Sequence, residues 1–153
     1  MRIETDDLSR PAVLDLLREH LDDMRAISPR DSVHALDVSG LQSPDVTFWT
    51  LWDDGELLAC GALREIDPTH GEIKSMRTPA RRRGRGAARR MLEHLLAEAR
   101  RRGYRRVSLE TGATAHFVPA RTLYASAGFV SCGPFGHYRL DPHSAFMTLE
   151  LTG

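Results

Sequence analysis

The chain has 153 residues, 41% hydrophobic and 27% charged, with basic and acidic side chains in equal number. Such a composition predicts one ordered globular domain and argues against a disordered chain. No run of 18 apolar residues exists, so no transmembrane helix is predicted, and the start MRIETDDLSRP has no apolar core to serve as a secretory signal. Cys60 and Cys132 are too few for a disulfide framework and too far apart for a zinc knuckle, so a reducing cytoplasm is the expectation.

In chain order, residues 2–5 predict a short strand. Asp7 or Ser9 then caps a helix with Pro11 in its first turn, and Leu14, Leu17, Leu21, Met24 and Ile27 give it one apolar face. A short second helix is predicted over 30–38. Two β-rich runs, 46–52 and 56–66, flank Asp53-Asp54-Gly55, a hairpin signal. A second turn over Pro68–Gly71 leads to a strand over 72–78. The strongest helical pattern covers 84–103: Ala87, Ala88, Met91, Leu92, Leu95, Leu96 and Ala99 form its face and Gly103 ends it. After it come a strand over 106–111, a helix over 117–127 stopped by Gly128, a strand over 129–133 and a last strand over 145–151. The order β-α-α-β-β-β-α-β-α-β-β predicts a mixed α/β fold, α+β-like, as a single domain spanning 1–153.

Charge is distributed unevenly. From Lys74 to Arg106 there are 13 basic residues against Glu93 and Glu98, while the remainder holds 8 basic and 19 acidic residues. The middle of the chain therefore meets an anion or pairs with acidic parts of its own domain. Within it, Arg83-Gly84-Arg85-Gly86-Ala87-Ala88 joins a strand to the start of the strongest helix. Glycines let the backbone approach a bulky ligand, and the first helical amides favour an anion, most often a phosphate. A third glycine for a dinucleotide fingerprint and a Gly-Lys-Ser/Thr for a P-loop are both missing. From charge alone, a solvated basic loop competes equally with a phosphate site.

This stretch resembles the Arg/Gln-x-x-Gly-x-Gly/Ala signature of the GNAT superfamily of N-acetyltransferases, with Ala88 in the final slot. The likeness resumes at Ala120-x-x-Leu123-Tyr124-x-x-x-Gly128-Phe129, similar to the family's late tyrosine motif. Lys74-Ser75-Met76-Arg77-Thr78, Leu109-Glu110-Thr111-Gly112 and Cys132-Gly133-Pro134-Phe135 resemble a bacterial subgroup. The resemblance implies a mostly antiparallel sheet with helices on both faces and a splayed parallel strand pair in its middle. It implies an acetyl-CoA site: backbone amides of Gly84, Arg85, Gly86, Ala87 and Ala88 on the pyrophosphate, Arg83 at the mouth, and Met76, Arg77 and Thr78 pairing with pantetheine. By the same resemblance the acceptor is a primary amine of a small molecule, an amino acid or a peptide, and a homodimer is an open expectation.

The resemblance also assigns roles. Tyr124 takes the place of a phenol that protonates a leaving thiolate, against the alternative of a core aromatic between Leu123 and Phe129. Glu72 takes the place of a general-base glutamate, against an exposed strand-edge acid paired with Lys74. Glu110, at the end of the next strand, is the second candidate base and faces ligand. His34, Tyr138, Arg139 and His143 fall in elements that cover the acceptor in this family. Many members carry an asparagine on the pantetheine side where this chain has Phe117. Seven histidines at no metal spacing predict no metal site, and Cys60 reads as a core thiol. A nucleic-acid module using the basic block is the less favoured alternative, since no aromatic residues interleave with the arginines. A non-catalytic acyl-CoA sensor is the other.

Overall fold

Asp54 and Gly55 both take positive φ, 49° and 76°, the backbone that a tight hairpin turn requires. In the computed structural model, which describes residues 1–27, 38–79 and 86–151, they join β2 (Val46–Asp53) to β3 (Glu56–Asp67). β1 (Arg2–Thr5) pairs with the outer side of β2, and β4 (His70–Arg77) with β3, all antiparallel. β5 (Arg106–Gly112) lies parallel to β4, then β7 (Ser144–Glu150) and β6 (Val130–Cys132) complete a seven-stranded sheet in the order β1-β2-β3-β4-β5-β7-β6. The mixed, mostly antiparallel sheet is the one expected, with β4–β5 as its parallel pair.

Helices cover both faces. α3 (Ala87–Arg101) buries Ala87, Met91, Leu92, Leu95, Leu96 and Ala99, the stripe predicted from sequence. They share a core with Leu63, Ile73, Leu109 and Met147 of the sheet and with Tyr124 of α4 (Val118–Ser126). Gly61 makes the close approach of α3 possible: a Cβ there would stand 2.9 Å from Met91 and 3.0 Å from Leu95. On the opposite face, α1 (Pro11–Ile27) and the single turn α2 (Val38–Leu41) bury Val13, Leu16, Leu17 and Leu41 against Phe48, Trp52, Cys60 and Ala62. Burial pushes the Cys60 thiol up to about 12, consistent with an inert core cysteine.

Several boundaries differ from expectation. β4 starts at His70, because Asp67 makes the turn by accepting from the Thr69 amide and hydroxyl, and Gly71 is already in the ladder under the Tyr104 ring. α3 starts at Ala87, since Gly86 takes the left-handed conformation and cannot continue a helix backwards. α4 is preceded by a single 3-10 turn over Ala115–Phe117. β6 runs over Val130–Cys132, within the strand expected over 129–133. The second helix predicted over 30–38 falls almost wholly outside the described residues.

Candidate active site

The β4–β5 ladder is short. His70 to Ile73 pair with Arg106 to Leu109, and pairing stops there although both strands run on. At the same point β4 carries an extra residue relative to β3: Ala62 pairs with Lys74 but Cys60 with Arg77. Ser75 absorbs the bulge with φ 54°. The edge of β4 from Lys74 to Arg77 is thus unpaired on its β5 side, and it leads through Thr78 towards the start of α3. Arg77 itself is fixed by α1, donating through Nη2 to Glu19 at 2.9 Å and to Asp23.

Gly86 is the N-cap of α3, with φ 77° and no side-chain cap. The amides of Ala87 and Ala88 therefore have no partner within the helix. No described atom lies within 4 Å of where a Cβ on Gly86 would stand. Arg83, Gly84 and Arg85 lie outside the described residues, as does His34.

Strand alternation sets two different surfaces on either side of this gap. Ile73 and Leu109 point into the α3 core, so Glu72, Lys74, Ser108 and Glu110 point to the other face. There Glu72 is 1% exposed, which removes the exposed-edge alternative. Its Oε2 accepts from Tyr138 Oη at 2.6 Å and from Lys74 Nζ at 3.3 Å, and Arg64 Nη1 lies 3.4 Å from Oε1. Lys74 also donates to Tyr138 Oη at 2.8 Å. A buried carboxylate needs such partners to stay ionised. Glu110 differs: Ser144 Oγ donates to its Oε2 at 2.7 Å. Burial above all, with Glu72 and Asp141 adding negative charge, pushes its carboxyl up to about 7, against the lowering pull of Ser144 and Lys74.

The loop after β6 closes over this strip. Phe135 packs edge to face with Tyr138 and with Phe146, which are tilted against each other, with centroids 5.1 to 6.0 Å apart. A cavity of about 550 Å³ remains, bounded by Arg64, Glu72, Lys74 and the segment from Gly136 to Asp141. Sequence reasoning named Glu72, Glu110 and Tyr138 separately; the fold gathers them on one face. It did not single out Arg64, although Arg64 and Glu72 pair directly across the β3–β4 hairpin, a register readable from the turn. Ser144 carries no comparable signal.

Tyr124 lies on the α3 side of the sheet, 7% exposed, its ring edge to face with Phe129 at 5.8 Å. Burial raises its phenol well above the ordinary value, and its hydroxyl makes no hydrogen bond among the described residues. Phe117 is nearly buried over Gly112, where a Cβ would stand 1.9 Å from the ring. Among the described residues no cluster of His, Cys, Asp and Glu could hold a metal ion, and no helix is long and apolar enough to cross a membrane.

Comparison with known proteins places this architecture. Residues 12–129 match the acetyltransferase (GNAT) family. The chain is 51% identical to the uncharacterized N-acetyltransferase YsnE of Bacillus subtilis (strain 168), covering 99% of this chain and 100% of that one. It is 48% identical to YedL of Escherichia coli (strain K12), also named an uncharacterized N-acetyltransferase, over 97% and 94%. A crystal structure of a putative acyl-CoA N-acyltransferase from Klebsiella pneumoniae superposes with a TM-score of 0.78 at 26% identity, covering 99% of this chain and 97% of that one. An aminoglycoside 6′-N-acetyltransferase in complex with coenzyme A shares the fold at a TM-score of 0.69 and 18% identity, over 98% and 97%. The unpaired edge of β4, the glycine start of α3 and the tyrosine of α4 thus stand in an acyltransferase enzyme, and the chain belongs to the GNAT family of acetyltransferases.

Proposed function

We propose that the protein moves an acetyl group from acetyl-CoA to a primary amine of a small molecule, amino acid or peptide. The observation that carries this is the unpaired edge of β4 beyond Ile73, running into the left-handed glycine that opens α3. Backbone groups of Met76, Arg77 and Thr78 would hold pantetheine as an added strand. The free amides of Gly86, Ala87 and Ala88 suit a pyrophosphate, joined by Arg83, Gly84 and Arg85. Bound there, acetyl-CoA supplies an activated thioester.

The amine must lose a proton and the departing thiolate must gain one. Tyr124 suits the second need: its buried phenol stays protonated at working pH and has an unspent donor. Two carboxylates serve the first. Glu72 already carries three donor contacts, so we give it the task of ordering the acceptor pocket. Glu110, with one hydroxyl donor and a carboxyl pushed up to about 7, takes the proton.

Calorimetry with CoA and a thiol-release screen across amine acceptors test the proposal. CoA should bind at micromolar scale, roughly −8 kcal/mol. Gly86→Val should abolish that binding, because a branched side chain enters the space kept open before α3. Gly103, also left-handed at φ 82° and also facing open space, is the control: Gly103→Val carries similar backbone strain but should keep CoA affinity. Equal binding by wild type and Gly86→Val would overturn this placement. Binding without turnover of any acceptor would turn the protein into a sensor.

A further inference from the structure

The cavity beside Glu72 has an unusual charge arrangement for a site that receives an amine. Arg64, Lys74 and Arg139 line it with positive charge, Glu72 and Asp141 with negative charge. The negative groups are largely committed. Glu72 faces Lys74 and Arg64, and Asp141 Oδ1 accepts from the His143 amide at 2.8 Å. Lys74 is committed to Glu72 and Tyr138 as well, but the two guanidinium groups are less so. Arg64 spends Nε on Asp45 at 3.2 Å and Nη1 on Glu72, while its Nη2 makes no hydrogen bond among the described residues. Arg139 is exposed and makes no hydrogen bond or ion pair among them. Two guanidinium groups with unspent donors thus border a cavity that leads to carboxylates, with the Tyr138 ring as an apolar wall.

A plain alkylamine would leave these unspent guanidinium donors without a partner. A molecule that brings its own anion would occupy them, since a guanidinium matches a carboxylate in shape and donor spacing. We propose that the acceptor is an amino carboxylate, its amine received on the Glu110 side of the strip and its carboxylate by Arg139 and Arg64. This rests on the acetyl-transfer reading above and narrows it to amino acids and related zwitterions. The acceptor ammonium gives one proton to Glu110 and on to solvent; the nitrogen then forms its bond to the acetyl carbon as the carbon–sulfur bond breaks, and its second proton is balanced by the one that Tyr124 gives to the leaving thiolate, so no further reactant is needed.

The experiment compares each α-amino acid with the amine left when its carboxyl group is removed. Two readouts are taken: kcat/KM by thiol release, and the shift in melting temperature with acceptor alone. Amino acids should be preferred over their paired amines, and at least one should raise the melting temperature without cofactor present. Loss of one charge-assisted contact corresponds to about 10–100-fold, so Arg139→Gln should erode the preference ratio by that factor and Arg139→Lys by less. Amines turned over as well as their paired amino acids would overturn the proposal and leave acetyl transfer standing. A preference ratio unchanged in Arg139→Gln would do the same. Neither thiol release nor any acceptor-dependent melting shift, with CoA still bound, would remove the proposal together with the amine-acceptor reading.

Discussion

Glu72 and Glu110 are carboxylates on neighbouring strands in different company, and that difference separates their expected behaviour. If Glu110 is the base, kcat/KM should climb as pH rises through about 7, because only the ionised form accepts a proton. Glu110→Gln should lose most of the rate and that limb of the profile. Glu72→Gln should keep the limb and raise the acceptor KM, since Lys74 and Tyr138 lose their anchor. The reverse pattern would move the base to Glu72. Stability gives an independent check. The folded carboxyl titrates above its unfolded value of 4.5, so its favourable contribution is full below that pH and is lost as pH rises to about 7. At pH 8, Glu110→Gln should therefore be more stable than wild type by on the order of 2 kcal/mol in urea unfolding. Tyr124→Phe keeps the ring against Phe129, so the fold should hold while kcat drops by about 10²-fold with little change in KM for acetyl-CoA. Raising the pH should not restore it, because the missing proton is wanted at sulfur. An unchanged kcat with chemistry rate-limiting would return Tyr124 to a packing role.

Among the described glycines, Gly112, at the turn between β5 and α4, leaves the least room for a side chain. The Phe117 ring rests on Gly112, and Arg121 Nη1 clamps the same turn by donating to the Gly112 carbonyl at 2.6 Å and to that of Thr114 at 3.0 Å. A methyl at Gly112 has no room, so Gly112→Ala should cost roughly 1–3 kcal/mol or more in thermal or urea unfolding. Phe117→Ala alone should also destabilise, but the pair Gly112→Ala with Phe117→Ala should cost less than the sum of the two, since the first clash disappears with the ring. Additive costs would show that the two do not meet. The contact also shows where legibility in sequence stopped. The stripe of α3, the Asp54-Gly55 hairpin and the end of that helix at Gly103 are written in local periodicity and turn chemistry, and they were readable. The Phe117–Gly112 contact needs a chain reversal that no spacing announces. Tyr138 is similar: its segment has no periodicity, and only the fold brings its hydroxyl onto Glu72, 66 residues earlier. The bulge at Ser75 was hidden as well, because a serine gives no sign that it must adopt positive φ.

For the molecule as a whole, the neighbours β2, β3 and β4 were readable because hairpin-joined strands follow one another in sequence, and the β4–β5 pair because a strand-helix-strand unit is parallel; the place of β7 between β5 and β6 was not. What the order could not convey is how few ladder pairs join the two halves of the sheet. β1 to β4 draw on residues up to Arg77, and β5 to β7 on residues from Arg106 onward; between them stands a ladder of four residue pairs, from His70 with Arg106 to Ile73 with Leu109. In the left half β2, β3 and β4 are joined by local hairpins, which close quickly, whereas the right half must wait for β7 to return from the C-terminal end and fill the place between β5 and β6. The seam is therefore expected to be assembled last and opened first. Native-state hydrogen exchange should show amides of β2 and β3 protected close to the global limit. Ladder amides shared by β4 and β5 should exchange through a smaller, sub-global opening. Uniform protection across the sheet would show a single cooperative unit instead. The gap beyond Ile73 and Leu109, proposed above to take the cofactor, would then also divide the folding of the chain, and a molecule lodged there would act as the missing rung that makes two foldons into one.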